Sequence, residues 1–190
     1  MTNKTVKITT VAVMTAVATV FYFLLPEIPI IPGVDYMKID LSDFPAILTG
    51  LVAGPWYGVL VGLFKNIFHL FKTTTFGVGE VMNVLVVCSI VLPLCFFSKK
   101  FSEKSGADAL STKPYLLSAV ITVVISIICG WLINAVLTPI YFLLVGIPVT
   151  AKAVAVGVVG STALNAVKSI INVGVFYPIY YAVKKRVKNI

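Results

Sequence analysis

Acidic residues are scarce here: Asp and Glu number only seven among 190 residues, against fifteen Lys and Arg and a single histidine, His69. Charged residues make up only 12% and hydrophobic ones 59%, with a mean hydropathy of +1.03. Soluble domains carry about 25% charged and roughly 45–50% apolar residues, so this chain cannot clothe itself in a water-facing surface. That excludes a soluble enzyme, a disordered segment and a disulfide scaffold. The three cysteines, Cys88, Cys95 and Cys129, sit inside apolar runs and form no CxxC pair. They read as small apolar fillers, and one histidine cannot build a metal site alone. Walker A, HExxH and GxSxG sequences are all missing, so the chain carries no ATPase motif of its own. His69 offers no credible triad. No catalytic residue, metal ligand or cofactor site is nominated.

What is present is a series of long apolar runs, and an integral membrane protein is the class that remains. The length suits about six helical spans of about 20 residues each, with short loops. It leaves no room beside them for a nucleotide-binding domain. The expected fold class is an all-α integral membrane protein, a six-transmembrane-helix bundle in one domain over 1–190. Helices are expected near 7–25, 43–53, 55–72, 80–98, 114–145 and 153–184. Ile8 to Leu25 is too long for a signal-peptide core and reads as the first span. Pro26, Pro29, Pro32 and Gly33 force an extended loop after it. Ser42 or Asp43 is placed to cap the next helix, with Pro45 early in it. Gly54-Pro55 splits the run from Phe44 to Phe71 into two helices. Gly77 and Gly79 mark a turn, and Ser98 to Thr112 reads as a polar loop. Thr138-Pro139 is the expected kink of the long fifth helix.

The net charge of +8 reflects topology rather than nucleic acid, because the basic residues lie at the ends of apolar runs and form no continuous face. With both termini cytoplasmic, Lys4, Lys7, Lys99, Lys100, Lys104, Lys113, Lys184, Lys185, Arg186 and Lys188 all fall inside. The acidic first loop, with Glu27, Asp35, Asp40 and Asp43, falls outside.

Polar groups within the apolar runs are expensive in a bilayer, so they are the candidates for function. Glu80 and Asn83 open the fourth helix and Asn134 lies in the outward half of the fifth. Asn165, Lys168 and Asn172 follow one another along a face of the sixth. Asparagine offers both a donor and an acceptor, which suits a flat heterocycle with alternating N–H and C=O groups. Met37, Ile39 and Asp40, with Tyr36, supply surface to cover an aromatic ring. A lysine as deep as Lys168 reads as a binding group. Glu80 has two open readings, ligand contact or helix capping. Asn66 and Asn172 have two as well, ligand contact or helix–helix contact. Lys65 and Lys72 read as snorkelling to an interface.

Taken together, Lys38-Ile39-Asp40-Leu41-Ser42-Asp43-Phe44-Pro45, Ala53-Gly54-Pro55 with Gly58, Lys65-Asn66, and Gly77-Val78-Gly79-Glu80 with Asn83 resemble the riboflavin-specific substrate-binding (S) components of energy-coupling factor (ECF) transporters. Asn165-Ala166-Val167-Lys168 resembles that family's ligand-contacting pair, and Asn134 one of its binding amides. Ala12 and Ala16 resemble the first-helix alanine motif through which S components meet their coupling subunit. The resemblance implies a site open to the outside and capped by the first and fifth loops. Riboflavin is the implied ligand, with FMN a second candidate. The implied partners are a transmembrane coupling subunit and two ATPase subunits, and the implied place is the bacterial plasma membrane. In that family's mechanism the S component topples to carry its ligand inward. Competing readings are an S component for another vitamin, a small membrane enzyme acting on lipid, and a purely structural subunit.

Overall fold

The computed structural model describes residues 4–24, 28–29, 38–39, 42–73, 75–106 and 111–187; the side chains of 28–29, 38–39 and 179–187 are outside the description. The described residues form six α-helices: α1 (Lys4–Leu24), α2 (Phe44–Ala53), α3 (Pro55–His69), α4 (Val78–Ser105), α5 (Thr112–Leu144) and α6 (Ala151–Val187). A 3-10 turn, Leu70–Lys72, extends α3. Between α1 and α2 a two-residue ribbon pairs β1 (Ile28–Pro29) with β2 (Lys38–Ile39), antiparallel, Ile28 opposite Ile39.

Among the described residues, four helices are long and apolar enough to cross a membrane: α1, α4, α5 and the part of α6 from Ala151 to Pro178. At 1.5 Å per residue, α2 and α3 are shorter than a hydrocarbon core of about 30 Å. They pack on each other as a hairpin. Gly54 adopts φ 123°, a conformation that glycine reaches without a Cβ clash, and Pro55 starts α3 where a missing N–H costs nothing. The two helices then pack at backbone distance. A Cβ on Gly58 would stand 2.5 Å from the Ala46 carbonyl oxygen and 2.8 Å from Gly50.

α1 lies against α2 and α3, α3 against α4, α4 against α5 and α5 against α6, while α2 closes the bundle onto α6. The core they share includes Ile47, Val61, Val87, Ile90, Leu94, Tyr115 and Phe176. Hydroxyl pairs stitch neighbours together: Ser98 meets Ser118 at 2.7 Å between α4 and α5, and Ser126 donates to Ser169 at 2.8 Å between α5 and α6.

Two sequence expectations change. The stretch from Ser98 is not loop: α4 continues to Ser105 and ends at Gly106 in the left-handed conformation. Lysines and Glu103 are good helix formers once the helix leaves the apolar zone, and Lys99 and Glu103 stand 3.9 Å apart at i, i+4. Asp43 occupies the N-cap position of α2 but makes no side-chain cap bond there. Its carboxylate is engaged by lysines of two other helices.

Candidate functional site

The α2–α3 hairpin places Asp43 beside Lys65, because the two stand equally far in sequence from Gly54, on either side. Lys65 is fully buried and Asp43 nearly so. The Lys65 ammonium pairs with Asp43 Oδ1 and donates to Ser42 Oγ at 2.6 Å. The snorkelling reading of Lys65 therefore fails: its ammonium ends on a buried carboxylate inside the bundle, not at an interface. Asp43 Oδ2 in turn faces the Lys168 Nζ of α6 at 2.7 Å, an ion pair by distance that lies off the hydrogen-bond axis. Lys168 is only 4% exposed, so the site holds two buried ammonium groups around one carboxylate.

An amide relay completes this cluster. Lys168 donates to Asn83 Oδ1 at 2.7 Å, Asn83 donates to Asn66 Oδ1 at 3.0 Å, and Asn66 donates to the Gly62 carbonyl at 2.7 Å. Four helices, α2, α3, α4 and α6, thus converge on one hydrogen-bonded and ion-paired group. Asn66 is a helix–helix contact here, as one of its two readings proposed.

One turn before Lys168 on α6, Asn165 packs against α5. Its amide fills the place a Cβ on Gly130 would take, 2.9 Å from Nδ2. Asn134, buried on α5, donates to the Gly130 carbonyl at 2.7 Å, which leaves its side-chain oxygen as the acceptor it can offer. Asn165 and Lys168 lie at i and i+3 and present one face. Asn172, one turn further along, is 1% exposed, and neither atom of its amide has a partner among the described residues.

Glu80 belongs to a second group. One carboxylate oxygen meets His69 Nδ1 at 2.8 Å; the other accepts from Thr73 at 3.0 Å and Thr75 at 3.1 Å. The Thr73 and Thr75 hydroxyls in turn accept from the Gly77 and Gly79 N–H groups at the start of α4, whose first turn carries Glu80. His69 stacks on Tyr22 of α1, ring centroids 3.9 Å apart, and Lys65 Nζ lies 4.8 Å from the same Tyr22 ring. Glu80 sits one turn before Asn83 on α4, but its described contacts run to this turn and not to Lys168. Met37 and Asp40 lie outside the described residues. Ile39 lies in β2, and only its backbone is described.

The sequence reading missed Asp43 as a site residue and misread Lys65. The available signal was their symmetric spacing about the Gly54-Pro55 break, which sets them level across a hairpin.

The architecture and the buried polar cluster define a helical membrane protein with a polar site inside it. Within that class the identity is specific: the chain belongs to the family of substrate-specific components of ECF transporters, whose model matches residues 6–181. Riboflavin transporter FmnP of Bacillus subtilis (strain 168) is 33% identical over 128 residues, 66% of this chain and 65% of that relative. This chain therefore matches slightly under two thirds of that relative's length. Riboflavin transporter RibU of Staphylococcus aureus (strain TCH60) is 29% identical over 186 residues, 97% of this chain and 93% of the relative. Among solved structures, the S component of a bacterial ECF transporter superposes with a TM-score of 0.75 at 24% identity, covering 98% of this chain and 99% of that one. ThiT from Listeria monocytogenes superposes with a TM-score of 0.66 at 16% identity, covering 96% and 97%. These likenesses carry the fold.

Proposed function

We propose that this chain is the riboflavin-binding subunit of a vitamin uptake system in the bacterial plasma membrane. The observation that carries the reading is a match to a riboflavin transporter over 97% of the chain, in a protein that buries Lys168 beside Asn83 and Asp43. Asn134, Asn165 and Lys168 are the groups assigned to the ligand. Asn83 supports Lys168, and Met37, Ile39 and Asp40 of the first loop cover the ring. Glu80 borders the site and holds its rim through His69, Thr73 and Thr75.

In this reading α2 and α3 join the four long helices as two further crossings, both termini are cytoplasmic, and the site opens outward. Transport needs energy from other chains: a coupling subunit docking on Ala12 and Ala16, and two ATPases. Ala12 and Ala16 are exposed on α1, while Val11, Thr15 and Ala18 of the same helix are buried. Small residues on an open face allow close backbone approach.

The deciding experiment is purification in detergent from cells grown with riboflavin, followed by absorbance and fluorescence-quenching titration. Yellow protein with flavin absorbance and saturable quenching is the expected result, and competition by FMN places the nucleotide inside or outside the specificity. A colourless protein that fails to quench added riboflavin overturns the reading in favour of another vitamin or of a lipid substrate.

A further inference from the structure

Asp43 has no assigned role in ligand recognition, yet it stands between two buried lysines. Its Oδ1 is held by Lys65, which also donates to Ser42 at 2.6 Å, and its Oδ2 faces Lys168 at 2.7 Å. The carboxylate sits at the start of α2, where the helix N-terminus favours negative charge. It is 1% exposed and Lys65 is fully buried, so neither group can swing away into water. Lys168 reaches the same place from α6 and has a second fixed oxygen, Asn83 Oδ1, also at 2.7 Å.

We infer that Asp43, anchored by Lys65, is a positioning residue that sets where the Lys168 ammonium stands for the ligand. The inference rests on the functional reading above. A lysine side chain has four rotatable carbons and strongly prefers hydration. Left alone in a buried site it would wander among rotamers and contribute little oriented binding. Two oxygens on rigid helices define one position for its charge, and a supporting shell of this kind decides whether a site is tight or an ångström too loose. Lys65 contributes by fixing the carboxylate, not by touching the ligand.

Removing Asp43 alone would strand two ammonium groups, so the test uses a balanced pair. In Asp43→Asn/Lys65→Met one charge of each sign goes, and Met matches the length of the Lys stem. Riboflavin affinity is measured by fluorescence quenching and unfolding is followed in the same detergent, for this variant, for Lys168→Met and for the triple variant. The expected result is wild-type-like unfolding with affinity weakened roughly tenfold or more. The triple variant should be no weaker than Lys168→Met, because Asp43 acts through Lys168. A purely structural role would restore affinity together with stability, or would give losses that multiply in the triple variant; either result overturns the inference. Lys65→Met alone keeps Asp43 and Lys168 as a balanced pair and provides a test that does not depend on the double variant folding. It should weaken binding severalfold, and wild-type affinity there overturns the anchoring role. A wild-type chain that binds no flavin overturns the functional reading and this inference together, whereas a binding wild type with an equally tight double variant overturns the inference alone.

Discussion

At the scale of single residues, the groups proposed to meet the ligand are buried almost as deeply as Lys65, Asn66 and Asn172. Lys168, Asn165 and Asn134 are 4%, 7% and 4% exposed, and each projects a polar group where water cannot replace a lost partner. Loss of one hydrogen bond costs about 0.5–1.5 kcal/mol, or about 1.5–3 with a charged partner. Asn134→Ala, Asn165→Ala and Lys168→Ala should therefore each weaken riboflavin binding roughly 3- to 100-fold, read by fluorescence titration. Unchanged affinity in all three would remove them from the site. Of this cluster, the asparagines and Lys168 were legible in the sequence, because polar residues within apolar runs stand out one at a time. Asp43 was not, because a residue at the end of an acidic loop looks solvated until the hairpin turns it inward. Lys65 was misread for the same reason: its value depends on a partner from another helix.

Among the helices, glycine governs how closely neighbours approach. Gly58 meets Ala46 and Gly50 at backbone contact, and Gly62 meets Val87, with a Cβ there 2.6 Å from a Val87 methyl. Side chains added at such crossings force the helices apart at a cost of about 1–3 kcal/mol. Gly58→Val should lower the unfolding temperature of the detergent-solubilised protein and, by moving Asp43 away from Lys65, weaken ligand binding as well. A variant with wild-type unfolding and binding would show that the hairpin tolerates a wider spacing. α1 carries a different demand. Ala12→Trp or Ala16→Trp adds bulk to an exposed face, away from the buried polar cluster. Binding by the isolated subunit should survive while uptake of radiolabelled riboflavin by whole cells is lost. Uptake that persists in both variants argues against this face as the docking surface, and binding lost along with uptake points to damage within the bundle.

For the whole molecule, the number of bilayer crossings sets the side on which each loop lies. With α2 and α3 as separate crossings, the lysines near the end of α4 are cytoplasmic; were residues 44–71 a single crossing, those lysines would lie outside. In a variant lacking Cys88, Cys95 and Cys129, Lys104→Cys should be labelled only from the cytoplasm and Asp35→Cys only from outside. External labelling at 104 would sink the six-crossing reading. Composition alone determined that this is a membrane protein, since a chain with 59% hydrophobic and 12% charged residues has no means of covering a soluble surface. Spacing of apolar runs and breakers determined its helices, because Pro and Gly act on the backbone locally, wherever the rest of the chain lies. The far end of α4 escaped that reading, since charged helix formers look like loop when hydropathy is the only guide. Only the tertiary structure decided which polar residues form one site. Lys168 meets Asn83 across 85 residues of sequence, and Asp43 meets both lysines, because hydrogen bonds and ion pairs depend on distances that close only when α2, α3, α4 and α6 pack around a common axis.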